Sequence, residues 1–130
     1  MTRRFMFVVL VFCFMQISAN DEFKIKRENV FTFKVEPKVV DENGIAKISF
    51  ETNGYCDATI VIEDDTGKII RHLVSGVLGD NPPPQFQAKT KSQIVIWDYK
   101  DDAGVYPKNI EKLNVRVSLG LKPQFERTLF

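Results

Sequence analysis

Cysteine and histidine are scarce in this chain, and each scarcity excludes something. There are two cysteines and one histidine in 130 residues. Cys13 sits inside an N-terminal apolar run, so Cys56 is the one thiol beyond it, and a lone thiol closes no internal disulfide. The domain must therefore be held by its apolar core, which a chain of this length can supply. His72 alone does not make a zinc site, because zinc takes several His or Cys ligands. No Gly-x-Ser-x-Gly elbow is present to pair a nucleophile with it. An excess of basic charge is also missing, since 18 Lys and Arg stand against 17 Asp and Glu. That balance lacks the footprint of a nucleic-acid binder. No basic amphipathic helix suited to a membrane surface can be traced either.

The longest apolar run, Phe5 to Met15, is short for a membrane span, which needs about 20 apolar residues. Arg3 and Arg4 precede it, and Gln16-Ile17-Ser18-Ala19 follows with a small residue at its end. That order is the order of a secretory signal peptide, so residues 1–19 are expected to be cleaved after Ala19. The mature chain is then expected to leave by the general secretory route, to the periplasm, the cell surface or the medium, with no membrane insertion. Without Arg3 and Arg4 it carries 16 basic and 17 acidic groups.

Beyond the leader the pattern is alternation bounded by turns, and no segment has a convincing helical period. Phe31, Phe33 and Val35 alternate with polar residues up to Pro37, which is expected to end that run. Ala46, Ile48 and Phe50 form a second series, and Ala58, Ile60 and Ile62 a third. Successive side chains of a strand point to opposite faces, so each series marks one buried face. Asp64-Asp65-Thr66-Gly67 predicts a tight turn joining 57–63 to 68–74 as a hairpin. Residues 75–91 hold Pro82-Pro83-Pro84 and are expected to be an irregular connection, because proline cannot donate to a sheet ladder. Ser92 to Trp97 and Leu113 to Leu119 are the remaining strands, with a loop at 98–109 between them. Residues 20–43 are expected to hold a leader and the first strand, 44–120 the main domain, and 121–130 a tail or the start of a linker. Six or seven short strands without a helix predict an all-β sandwich.

The hairpin DDTGKIIRHL, the strand IVIWD and the turn KDDAG resemble the Ig-like domain of the flagellar hook-capping (FlgD-like) type, a module of large secreted bacterial proteins. The residues that carry the resemblance are Gly67, Arg71, Leu73, Trp97, Asp98, Asp101 and Gly104, followed by Val115-Arg116-Val117. Tyr99 stands where that family usually has glycine, and Tyr106-Pro107-Lys108-Asn109 replaces its usual approach to the last strand. The resemblance implies an Ig-like β-sandwich over residues 44–120 and, in the tail, a lead into further domains of a larger exported protein. It implies no activity, since folds of this kind host many functions.

The expected function is accordingly non-catalytic: a structural or spacer module, with other domains of the same protein as its partners and no cofactor. Within that reading Trp97 anchors the core, Gly67 and Gly104 set turns, and Asp98 and Asp101 bond loop amides. The acidic run at 98–102 does not have the alternating spacing of an EF-hand, so backbone bonding by Asp is expected there rather than calcium. Arg71 is expected to pair with an acidic residue across its hairpin. The alternative reading is a carbohydrate- or protein-binding module, in which Tyr55, Phe86, Tyr99 and Tyr106 would supply stacking faces.

Overall fold

The computed structural model describes residues 27–120 in full and the backbone of 125–129. The expected signal peptide and the first part of the leader lie outside the described residues, as do residues 121–124 and 130. Among the described residues there are seven strands: β1 (Phe33–Glu42), β2 (Ile45–Thr52), β3 (Asp57–Glu63), β4 (Ile69–Val77), β5 (Ser92–Trp97), β6 (Asn114–Leu119) and β7 (Phe125–Leu129). They form two antiparallel sheets, one in the order β1-β2-β5 and the other in the order β4-β3-β6-β7.

One apolar core joins the two sheets. Ala46, Ile48 and Phe50 of β2 and Val95 and Trp97 of β5 come from the first sheet. Ala58, Ile60 and Ile62 of β3 and Val115, Val117 and Leu119 of β6 come from the second. The alternation in β2 and β3 thus faces the core as the sequence pattern predicts. Fully burying an Ile or Leu side chain contributes about 1.5–3 kcal/mol, so these four strands carry most of the cohesion. Phe33 adds an edge-on contact to Phe50, with ring centroids 5.9 Å apart.

β1 departs from expectation. Pro37 does not end it: the strand runs to Glu42, with register shifts between Phe33 and Val35 and between Val35 and Lys38. Pro37 is buried, and Val35 turns outward at 45% exposure. β1 is an outermost strand, where proline and a bulge are tolerated because the missing donor has no ladder partner to lose. The turn that follows, Asn43-Gly44, has φ of 56° and 81°, the two-residue hairpin geometry that Asn-Gly favours. Residues 33–42 are thus the first strand, joined through this turn to β2. Residues 125–129, expected as tail, instead pair with β6 as β7.

β4 is longer than predicted, reaching Val77, so the irregular connection shortens to residues 78–91. Its pairing with β3 skips Leu73, since Ile60 faces Val74 and Val61 faces His72. The bulge lets Leu73 pack against the core. A short 3₁₀ turn, Ile110–Lys112, interrupts the loop before β6.

β3 is buried on both faces. Val61 and Glu63, expected on its outward face, are 4% and 0% exposed. Arg116 of β6 reaches Glu63 with Nη1 to Oε2 at 3.1 Å, the opposite charge that a buried carboxylate requires.

Cys56 is buried in the core, and desolvation first, then the neighbouring Asp57 charge, push its thiol up to about 11. The thiolate is the reactive form, so the native protein should resist a thiol reagent at pH 8. Labelling through a urea titration should follow global unfolding; modification of Cys56 well before the unfolding transition would contradict its place in the core.

Candidate functional site

Of the residues that carry the resemblance, Arg71, Trp97, Asp98, Asp101 and Gly104 meet at one end of the domain, where the 98–105 loop leaves β5 and crosses to β4. Trp97 ends β5 fully buried, and its Nε1–H donates to the Lys100 carbonyl at 2.8 Å. Arg71 reaches the same loop from β4. Its Nη1 donates to the carbonyls of Lys100 and Asp101 at 3.2 and 3.1 Å, and lies 3.5 Å from Asp98 Oδ1. The expected cross-hairpin partner is thus replaced by a loop on the other sheet. The cause is the bulge at Leu73 together with the outermost position of β4, which leaves the guanidinium facing the loop rather than a neighbouring strand.

The aspartates of this loop bond backbone. Asp98 Oδ1 accepts from the Lys100 amide at 3.0 Å. Asp101 Oδ1 accepts from the amides of Ala103 and Val105, both at 2.9 Å, while Gly104 donates back to the Asp101 carbonyl with φ of 79°. Asp102 acts on β4 instead. Its N–H donates to the Ile70 carbonyl at 2.9 Å, and its carboxylate accepts from the His72 amide at 2.9 Å and meets His72 Nδ1 at 2.7 Å. Those bonds, the His72 backbone N–H first and its ring second, hold the Asp102 carboxyl below its ordinary range. The 64–67 turn behaves alike. Asp64 Oδ1 accepts from the Thr66 hydroxyl and from the amides of Thr66 and Lys68, which lowers its pKa, and Gly67 has φ of 87°. Among the described residues, no group of three or more His, Cys, Asp or Glu is placed to hold a metal.

His72 and Asp102 form an exposed couple that would need a nucleophile to become catalytic. Ser75, a nearby hydroxyl in sequence, is engaged with Thr59 at 2.8 Å, and Cys56 is buried.

The four aromatics considered for stacking do not gather. Phe86 is buried in the core cluster, held by a turn in which its N–H donates to the Pro83 carbonyl, so it offers no face to a ligand. Tyr99 leans on Trp97, with centroids 5.1 Å apart. Burial, then the Asp41 charge and a hydrogen bond to Asp41, raise its phenol pKa. Tyr55 lies at the opposite end of the domain, under Lys91 at 5.2 Å. Tyr106 alone is well exposed, at 66%, with Lys100 Nζ 5.4 Å from its ring centre.

Sequence reasoning missed Gln87, Gln93 and Glu63. Gln93 occupies an inward position of β5 between Ile94 and the 78–91 connection, and a polar residue at an apolar position was the available signal. Compared with family models, curated proteins and solved structures, the chain matches none. Among the described residues no helix is long and apolar enough to cross a membrane.

Replacing Arg71 by lysine should cost about 1–2 kcal/mol in a denaturant titration, because the lysine ammonium ends one bond short of the Nη1 that reaches the Lys100 and Asp101 carbonyls. The Val105 amide should exchange faster in that variant; unchanged stability and exchange would remove Arg71 from the clamp. Acid should loosen the same region. Asp64 and Asp102 are both depressed in the folded state, so their contribution is complete above the unfolded value of about 3.9 and is lost as pH falls through the lower folded values. Monitoring the His72 and Lys68 amides between pH 5 and 2 should reveal that loss; protection that stays flat across the window would refute it.

Proposed function

We propose that this chain is an exported, non-catalytic Ig-like β-sandwich of the hook-capping type, serving as a spacer that positions further domains of a larger bacterial protein. The observation that carries the reading is where the motif residues spend their polar atoms. Trp97, Arg71, Asp98 and Asp101 are all directed at the backbone of the 98–105 loop. Such bonds fix a loop in place, which is structural work. Two antiparallel sheets around a single core, with a buried tryptophan between them, are compatible with an Ig-like sandwich. The order of residues 1–19 supports export through the general secretory route.

The binding alternative rests on less, because the aromatics are divided between the two ends of the domain and the core. What remains for it is Tyr106 with Lys100 beside it, a single exposed ring.

The intact mass of the native gene product, taken from its own cells after export, tests the spacer reading. A mass well above that of residues 20–130 is the expected result. A mass matching residues 20–130 would overturn it, and a glycan and peptide screen comparing the parent with Tyr106→Ala would then be the next step.

A further inference from the structure

β5 is an outermost strand, bonded on one side to β2 only. Ile94 sits opposite Ser49 in that ladder, and its own N–H and C=O point away from β2, toward the open edge. There they meet one side chain. Gln87 Oε1 accepts from the Ile94 N–H at 2.7 Å, and Gln87 Nε2 donates to the Ile94 carbonyl at 3.0 Å. A primary amide that offers one acceptor and one donor to a single residue reproduces what the backbone of an adjacent strand would offer.

The exposed glutamine is held in place by a buried one. Gln93 is fully buried; its Oε1 accepts from the Gln87 N–H at 2.6 Å, and its Nε2 donates to the Gln87 and Thr90 carbonyls at 3.0 and 2.8 Å. The Ser92 N–H is taken up by Thr90 Oγ1 at 3.1 Å. On the other sheet Asp102 closes β4 in the same manner, donating to the Ile70 carbonyl and accepting from the His72 amide.

β5 has reason to be closed. Its sequence, SQIVIW, contains neither charge nor proline, the usual deterrents against strand addition. Ile94 and Ile96 are 42% and 41% exposed and lie on the same face beside the edge. An open edge flanked by β-branched apolar side chains is a template for another strand.

We propose that the Gln87 side chain is a surrogate strand that keeps the β5 edge shut, and that its loss opens β5 to antiparallel pairing with β5 of a second copy of this chain. Two identical edges related by a twofold axis are self-complementary, and such pairing would set the Ile94 and Ile96 faces of the two copies side by side.

The test compares Gln87→Ala and Gln87→Glu with the parent in the full chain. In Gln87→Ala the Ile94 amide should exchange at least about tenfold faster at low concentration. Sedimentation should show association beyond the parent's that grows with concentration. Gln87→Glu keeps an acceptor for the Ile94 N–H, loses the donor to the Ile94 carbonyl and adds a charge at the edge, so Ile94 exchange should fall between the parent and Gln87→Ala while association stays at the parent's level. Adding Ile96→Lys to Gln87→Ala should abolish the extra association. Unchanged Ile94 exchange in Gln87→Ala would overturn the proposal. So would association no greater than the parent's, or extra association that survives Ile96→Lys. Circular dichroism of each variant verifies that an exposed substitution has left the fold intact.

Discussion

Every sheet that does not close on itself leaves unpaired N–H and C=O groups along its outer strands, and this domain is organised around covering them. Two sheets give four such edges. On one side β1 and β7 approach each other, and β1 is broken by register shifts and Pro37, which make it a poor template. On the other side β4 and β5 are covered by loops. The 78–91 connection supplies Gln87 and Thr90 to β5, and the 98–105 loop supplies Asp102 to β4. The first loop also seats Pro83 against Gly76 of β4, so closely that a Cβ at Gly76 would lie 2.5 Å from the ring. A glycine inside that strand costs about 0.5–1 kcal/mol in chain entropy, and here, one residue from its end, it admits the proline ring that packs on the strand.

The Trp97 end illustrates how packing overrides local preference. Tyr99 has φ of 67°, a left-handed conformation that costs a side-chain-bearing residue about 1–2 kcal/mol. Glycine would relieve that strain, though it would add about 0.5–1 kcal/mol of backbone entropy on folding. The tyrosine ring returns more than the balance. It packs on Trp97, where an aromatic pair contributes about 0.5–1.5 kcal/mol beyond area burial. Its hydroxyl also bonds Asp41, at the far end of β1. The residue that departs from the family pattern thereby ties three segments together: the turn, the core tryptophan and the first hairpin.

The strands with period-two patterns were legible because a single physical rule, inward apolar and outward polar, governs them. β2 and β6 are the clearest cases, and the Gly67 and Gly104 turns follow equally from backbone conformation. Glu63 was not legible. It occupies an outward position by parity, and its burial depends on Arg116, some fifty residues later, meeting it across the sheet. Pro37 misled for a related reason: whether proline ends a strand depends on whether that strand is outermost, which is a property of topology rather than of neighbouring residues. The Arg71 clamp was half legible. Its members stood out as a group by resemblance, but their shared target is backbone, and backbone carbonyls carry no sequence label.

That last point bears on what the conspicuous polar residues of this chain are for. A cluster of Arg, Trp, His and three Asp at one end of a small domain invites a functional interpretation. Followed atom by atom, the cluster resolves into bonds that hold one loop against two strands. A disulfide could have secured the same loop, but Cys56 has no partner in the domain. The domain achieves the crossing with side-chain-to-backbone bonds, each worth about 0.5–1.5 kcal/mol and up to about 3 kcal/mol where a charge is involved. Many modest bonds distributed over one loop make its closure cooperative. The opposite end of the domain, around Tyr55 and Lys91, is bonded in a similar way, with Thr52 Oγ1 donating to the Gly54 carbonyl and Gln93 holding the Gln87 and Thr90 carbonyls. The polar chemistry at the Trp97 end thus holds the β5-to-β6 crossing between the sheets, as Gln87 and Gln93 hold the β4-to-β5 crossing, without a covalent staple.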